Sequence, residues 1–320
     1  MNLSDLTTLR LGGPARTLIT CTTEQELVDA AREGVFVLGG GSNVVLPDEG
    51  LDEVALVRTT GWSQSGATVV VDAGVPWDSV VVRTLEAGLT GLEALSGIPG
   101  TVGAAPIQNV GAYGAEVAAF VTSVRVLDRT TGEVADLPAP ACGFGYRTSV
   151  FKQSPDRWVV LSVRLSLGAD SAPVRYAELA RALGVELGGT APAAAVRDAV
   201  LQLRRSKGMV LDPADPDSVS AGSFFTNPLV VSAPDGAPAW PDSSGRVKVS
   251  AAWLIEQSGF GRGWGDGRIG LSTKHTLALV NRGGATTAEL LSVAREIRDA
   301  VRARFGITLV NEPVIVGAAL

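Results

Sequence analysis

The sequence predicts an α+β protein, and three observations carry that prediction. Between about Val54 and Leu167, short β-like runs ("VALV", "TVVVDAG", "SVRVLD", "WVVLSVRLSL") alternate with turns, and one helical stretch, "PWDSVVVRTLEAG", interrupts them. Clear helical segments stand before and after that region. A Pro/Asp-rich stretch, "LDPADPDS", then separates it from a further unit running from about Ser218 to Gly306.

The elements follow in chain order. "TTEQELVDAAREG" is a helix: Thr23 and Glu26 have capping-box spacing, and Gly34 closes it. "VFVLGGGSNVVL" reads as a strand, a glycine turn and a second apolar run, so the chain opens β-α-β-β. "PAAAVRDAVLQLRRSKG" has proline in its first turn and apolar positions at helical spacing. The helix "TTAELLSVAREIRDAVRARFG" carries a second capping box at Thr286 and Glu289. The β-like "ITLVNEPVIVG" is expected to return to the first domain. No internal repeat is present.

Composition narrows the function. A chain of 320 residues has room for two or three domains. A net charge of −6 argues against nucleic acid as the main partner, which would ask for a basic face. The opening "MNLSDLTTLR" lacks the basic, apolar, small-residue pattern of a secretory signal, so a cytoplasmic location is expected. Cys21 and Cys142 are the only cysteines, which argues against a disulfide framework or a zinc site. His275 is the only histidine, so any histidine-based triad would have to use it.

The chemistry concentrates in two glycine-dense stretches. "LSGIPGTVGAAPIQNVGAYGAE", from Leu95 to Glu116, has no charge before its last residue, yet five glycines, two prolines, a Gln and an Asn make it a poor membrane span. It suits a backbone lying close against a large flat ligand. "LGGGSNVVL" supplies Gly39 and Gly41 but has Val44 at the third glycine position, and it continues into a β-branched run, so a Rossmann site is not indicated. Its consecutive N–H groups could form an anion nest, with Ser42 and Asn43 adding donors; a plain tight hairpin is the equal alternative for this segment alone. Together the stretches suggest one long cofactor, its phosphates at one loop and its rings at the other.

In order along the chain, "GGGSN", "GIPGTVGAAPIQNVGAYGAE", "YRTSVFK", "RRSKGMVLDP", "AGSFFTNP", "WLIEQSGF" and "NEPVIVG" resemble the UDP-N-acetylenolpyruvoylglucosamine reductase (MurB) family over essentially the whole chain. "GGGSN" is also similar to the wider vanillyl-alcohol-oxidase class of flavoproteins. The resemblance implies a PCMH-type FAD-binding fold: one FAD subdomain at 1–60 with 311–320, a second at 61–210, and an α+β substrate domain at 211–310. It implies non-covalent FAD held by Gly39, Gly40, Gly41, Ser42 and Asn43. On the second stretch it implies Ile98, Pro99, Gly100 and Gly103, then Ile107, Gln108, Asn109, Gly111 and Tyr113.

The activity so implied is reduction of the enolpyruvyl ether of UDP-N-acetylglucosamine to UDP-N-acetylmuramate in peptidoglycan precursor synthesis, with NADPH as reductant. The implied roles are Arg147 and Glu312 at the enolate and Ser223 as proton donor to the α carbon. A carboxyl group polarises an enolate through a proton, which burial favours. Tyr176 resembles the tyrosine that folds over substrate in the extended-loop subtype, although Ala177 and Glu178 stand where the family often has Gly-Asp. Arg204, Lys207, Asn227 and Lys274 match or adjoin positions toward the substrate or its diphosphate; for Lys207 the alternative is a basic helix end. Lys274 and His275, in "STKHTLAL", could face the nucleotide end, which the sequence does not decide, and the mechanism does not require the histidine. No metal, nucleic acid or membrane partner is implied, and a monomer is expected. Two other readings remain: an FAD oxidase sharing only the cofactor domain, and a non-enzymatic UDP-sugar or flavin binder.

Overall fold

The computed structural model describes residues 1–32, 34–242 and 245–320. Contacts group them into two compact units, one of Arg16–Gly40 and Asp52–Arg205, the other of Met1–Ala15, Gly41–Leu51 and Ser206–Leu320.

The first unit holds two sheets. In the smaller, the strand Leu51–Val57 lies between Ala15–Cys21 and Phe36–Leu38, and it pairs in parallel with the latter, Val37 opposite Ala55. Helix Glu24–Arg32 crosses between its strands, begun by the expected box: Thr23 Oγ1 accepts from Glu26 N, and Glu26 accepts from Thr23 N. The larger sheet is fully antiparallel, ordered Glu133–Pro138, Val121–Asp128, Trp158–Ser166, Thr68–Asp72, Trp62–Ser65.

Strand alternation gives the larger sheet two apolar faces. Val69, Val71, Val124, Val126 and Val163 pack against Trp77, Val80 and Val81 of helix Trp77–Glu86. Leu127, Val159 and Leu161 pack on the other side with Leu27, Val28 and Ala31. A bulge between Val160 and Ser162 inserts Leu161, so Val159 and Leu161 share that side while Val163 turns to the helix side.

The second unit is built around helix Thr287–Phe305, whose Leu290, Ala294, Ile297 and Val301 form one apolar stripe. Thr286 and Glu289 close its capping box, and Asp48 accepts from Thr287 N and Ala288 N. Around the helix lie a three-stranded sheet, ordered Leu229–Val230, Val247–Val249, Ala239–Pro241, and the pair Ile269–Leu271 with Leu279–Asn281. Strand Val314–Ile315 pairs in parallel with Val44–Val45, Val314 opposite Val44, so the C-terminal segment meets the run that follows the first glycine turn. That pairing removes the hairpin alternative for "VFVLGGGSNVVL": Phe36–Leu38 and Val44–Val45 find partners in different sheets. No helix among the described residues is long and apolar enough to cross a membrane.

Candidate functional site

In the first unit the two glycine-dense stretches touch. A Cβ on Gly40 would stand 2.6 Å from Gly100 Cα, and one on Gly39 would stand 2.9 Å from Thr101 Oγ1, so any side chain there would wedge the loops apart. The second stretch is laced to the start of helix Trp77–Glu86: Trp77 N donates to Gly100 O at 3.0 Å, Gly97 N to Asp78 Oδ1 at 2.6 Å, and Val102 N to Val75 O at 2.9 Å. Gly103 lies against Ala73, its would-be Cβ 2.6 Å from the alanine Cβ. Ile98 and Ile107 lean on the core of this unit. Burial raises the Asp78 carboxyl, but hydrogen bonds from Arg197 and Gly97 and the charges of Arg197 and Arg204 outweigh it and hold the group below its usual range.

After the short helix Ala104–Gln108 the backbone turns left-handed at Asn109 (φ 45°), and again at Tyr113 (φ 50°) and Arg147 (φ 52°). Non-glycine residues seldom adopt that conformation, and it is held here by hydrogen bonds. Asn109, 1% exposed, donates through Nδ2 to Glu116 Oε2 and to Gly145 O, both at 2.9 Å, and accepts from Ala118 N at 3.1 Å. Arg147 donates back, through Nη1 to Asn109 O at 3.3 Å and through Nη2 to Gly111 O at 2.6 Å. Ser149 adds a bond to Ile107 O at 2.7 Å. The half-buried guanidinium of Arg147 is thereby fixed on the glycine-dense stretch itself.

Gln108 is buried; its Oε1 accepts from Lys152 Nζ at 2.8 Å, and its Nε2 has no hydrogen-bond partner among the described residues. A buried amide donor costs roughly 1–3 kcal/mol when unmet. Beside glycine loops that leave the backbone bare, such a donor fits a ligand rich in acceptors, as the ring carbonyls, ring nitrogens and phosphates of FAD are. The residues present therefore fit a flavin.

Tyr176 meets Tyr113 edge to face, with ring centroids 5.5 Å apart. Burial, opposed by the Arg204 charge, pushes the Tyr113 phenol up to about 12, and burial with Glu178 raises Tyr176. Arg204 projects from helix Ala193–Ser206 and is almost wholly buried, and that burial lowers its guanidinium from the ordinary value against the charges of Tyr113 and Asp78. Lys207 follows that helix and is half-buried.

In the second unit Gly41 is left-handed (φ 62°), as an anion nest requires, and its carbonyl accepts from Thr8 N at 3.0 Å. A Cβ on Gly41 would stand 1.9 Å from Leu6 O, so glycine is demanded there by the fold itself. Ser42 O lies 3.5 Å from Thr8 Oγ1, and Asn43 O accepts from Val314 N at 3.0 Å.

The segments of Ser223 and Glu312, distant in sequence, are joined through the Phe224 backbone. Phe224 N donates to Leu277 O at 2.7 Å, and Phe224 O accepts from Glu312 N at 2.8 Å; Thr226 N then bonds Val310 O at 3.0 Å. Buried Phe224 and Phe225, stacked edge to face at 5.2 Å, anchor the segment in the core. Ser223 and Glu312 are both half-buried. Asn227 spends its Oδ1 on Ala251 N at 2.9 Å, at the start of helix Ala251–Gln257. Lys274 is ion-paired with Asp215 at 2.8 Å, which raises its ammonium above the usual value. The sequence reading gave His275 no part in the chemistry, yet its Nε2 lies 3.4 Å from Ser223 Oγ. It also missed Glu116, the partner of Asn109, and Lys152, the partner of Gln108, although both stand within the quoted motifs.

Residues 15–138 match the family described as FAD binding domain, and residues 213–316 match UDP-N-acetylenolpyruvoylglucosamine reductase, C-terminal domain. A UDP-N-acetylenolpyruvoylglucosamine reductase of Streptomyces avermitilis is 53% identical, the alignment covering 99% of this chain and 94% of the relative. One from Thermobifida fusca is also 53% identical, covering 99% and 97%. The crystal structure of the MurB enzyme of Thermus caldophilus superposes with a TM-score of 0.69 at 28% identity, covering 98% of this chain and 97% of that one. With the FAD-binding match over the first half, these place the chain among α+β, PCMH-type flavoproteins and make it an FAD-dependent oxidoreductase. Its likeness to those relatives runs nearly end to end, and the chain belongs to the UDP-N-acetylenolpyruvoylglucosamine reductase (MurB) family.

Proposed function

We propose that this chain uses NADPH to reduce UDP-N-acetyl-3-O-(1-carboxyvinyl)-glucosamine to UDP-N-acetylmuramate, in the cytoplasm and as a monomer. The division into residues 1–60 with 311–320, 61–210 and 211–310 is proposed with it. FAD, when bound, supplies the redox chemistry: a hydride taken from NADPH and passed to the methylene carbon of the enolpyruvyl group. Gly39 to Asn43, the stretch from Ile98 to Tyr113 and the Gln108 amide are the residues assigned to hold it.

Hydride addition at the β carbon of an α,β-unsaturated carboxylate leaves charge on the α carbon and the carboxylate. Arg147 offers a planar, permanently charged guanidinium to that carboxylate, and Glu312 polarises it through a proton. Ser223 delivers the proton to the α carbon, with Gly222 allowing close approach and Phe224 and Phe225 excluding water. Tyr176, Arg204, Lys207, Asn227 and Lys274 are assigned to the sugar nucleotide.

The observation that supports this reading is the Phe224 backbone, hydrogen-bonded on one side to Leu277 and on the other to Glu312, which ties the segment carrying Ser223 to the backbone of Glu312. The test is direct. Purified protein is yellow, releases FAD on denaturation, and consumes NADPH in proportion to added enolpyruvyl sugar nucleotide. Colourless protein that cannot be reconstituted with FAD, or NADPH consumption indifferent to that substrate, sinks the assignment.

A further inference from the structure

The hydroxyl of Ser223 has a neighbour that the roles above leave unused. Its Oγ stands 3.4 Å from Nε2 of His275, the single histidine of the chain. The contact is built into the backbone. His275 sits in the turn between strands Ile269–Leu271 and Leu279–Asn281, where fully buried Ser272 accepts from Lys274 N at 3.0 Å and His275 N at 3.1 Å through its Oγ. Ala278 N donates to His275 O at 3.1 Å, and Leu277 O accepts from Phe224 N at 2.7 Å, which joins the turn to the serine segment.

The charged residues around this turn are engaged elsewhere. Lys274 pairs with Asp215, Asp217 accepts from Thr273 N and Oγ1 at 3.0 and 2.5 Å, and Glu256 accepts from Thr276 Oγ1 at 2.5 Å. Glu312 adjoins through the Phe224 backbone.

A serine–histidine hydrogen bond has two polarities. If the serine donates, its proton points at the imidazole and the pair makes a nucleophile, as in hydrolases. If Nε2–H donates, the hydroxyl proton is left free for another acceptor, and the oxygen is ready to receive negative charge. Only the second polarity suits a serine that must give a proton to carbon, because a hydroxyl is a weak acid unless its departing charge is met.

We propose that His275 is the positioning residue for Ser223: its Nε2–H donates to Oγ, aims the hydroxyl proton at the α carbon and resupplies it. The proposal rests on Ser223 being the proton donor. In the step, the carbanion electron pair forms a C–H bond with the serine proton, and the O–H pair stays on Oγ. Oγ then takes the Nε2 proton of the imidazolium, which ends neutral and regains a proton from water. One proton passes from water to carbon, and no electron is gained or lost.

The presence of one histidine makes the test clean, since ¹⁵N-labelled, FAD-loaded protein gives a single set of imidazole nitrogen signals to read. The Nε2 signal should be that of a protonated nitrogen and should move in Ser223→Ala. In stopped flow, His275→Ala should keep NADPH-driven flavin reduction at close to the wild-type rate while reoxidation by the enolpyruvyl substrate slows by about tenfold or more, as for loss of one donor to a developing charge. His275→Gln, which retains an N–H donor, should recover part of that loss. The double variant should be no slower than Ser223→Ala, because both changes remove one unit. An Nε2 signal indifferent to Ser223→Ala, wild-type reoxidation in His275→Ala, or a double variant slowed by the product of the two single effects overturns the proposal. If Ser223→Ala itself reoxidises normally while the Nε2 signal still moves, the donor assignment fails, and the resupply role falls with it although the hydrogen bond stands.

Discussion

Arg147 and Asn109 hold each other in place: the guanidinium donates to the Asn109 carbonyl at 3.3 Å, and the Asn109 amide donates at 2.9 Å to Gly145, two residues ahead of the arginine. Both backbones are left-handed. The Arg147 cation is thus aimed by the glycine-dense stretch, and the stretch is shaped by the turn that carries the cation.

That clamp makes Arg147 intolerant of conservative change. Lysine cannot reproduce bonds to two carbonyls from a planar fork, so Arg147→Lys is expected to lose about as much turnover as Arg147→Ala, on the order of 10²-fold or more. Steady-state rates with saturating NADPH check this; wild-type turnover in Arg147→Ala removes the residue from the chemistry.

Asn109→Ala removes three hydrogen bonds at a buried site and places alanine at φ 45°. Stability is expected to fall by about 2 kcal/mol or more, from unmet partners and left-handed strain together. Urea unfolding of the FAD-free protein measures it. A change below about 0.5 kcal/mol, the range of ordinary surface substitutions, is incompatible with the clamp.

Gly41→Val is expected to destabilise the protein before any ligand is considered, since the new Cβ collides with Leu6 O and the backbone requires φ 62°. The melting temperature of FAD-free protein should drop, with FAD content falling as a consequence. Unchanged melting with reduced FAD content would return the glycine to a purely ligand-facing role.

Ser223→Ala is expected to separate the two half-reactions. Flavin reduction by NADPH should proceed at close to the normal rate, and reoxidation by the enolpyruvyl substrate should slow by about 10²-fold or more, the usual range for a general acid. Turnover in deuterated water should place deuterium on the α carbon. Impaired reduction with normal reoxidation would assign the serine to NADPH binding.

Acid should act on the Asp78–Arg197 pair. Burial opposes the Asp78 charge, but Arg197, Gly97 N and Arg204 prevail, so the folded carboxyl lies below its unfolded value of about 3.9. A depressed carboxyl contributes stability that is present above the unfolded value and lost as pH falls through the folded one. Wild-type stability is therefore expected to drop more steeply below about pH 4 than that of Asp78→Asn. Parallel pH profiles from thermal melts would count against the pair.

What was legible in the sequence was local. The helices at Glu24, Trp77, Ala193 and Thr287 announce themselves through caps and apolar spacing, both contained within a few turns of chain. Glycine density marked the two loops because bare backbone is a compositional property. Pairings between distant segments were less legible. Val44–Val45 lies beside Val314–Ile315, and strands so short carry little register information of their own. The left-handed backbones of Asn109 and Arg147 were hidden for a related reason: each is imposed by the other across 38 positions of sequence. His275 escaped notice because its partner is chosen by the Phe224–Leu277 hydrogen bond, which no local pattern encodes.

The parallel pairing of Val314–Ile315 with Val44–Val45, and the bond from Glu312 to Phe224, have a consequence for how the protein is made. The unit carrying Ser223 is stitched from three stretches of chain, and the last of them, from Ser206 onward, is made only after the whole of the other unit. The antiparallel sheet of the other unit has all its strands by Ser166 and can close early. During translation, then, the nascent polypeptide should acquire protease resistance around its antiparallel sheet well before the serine segment is protected. A ribosome stalled shortly before codon 311 would display a chain in which Phe224 still lacks one of its two backbone tethers.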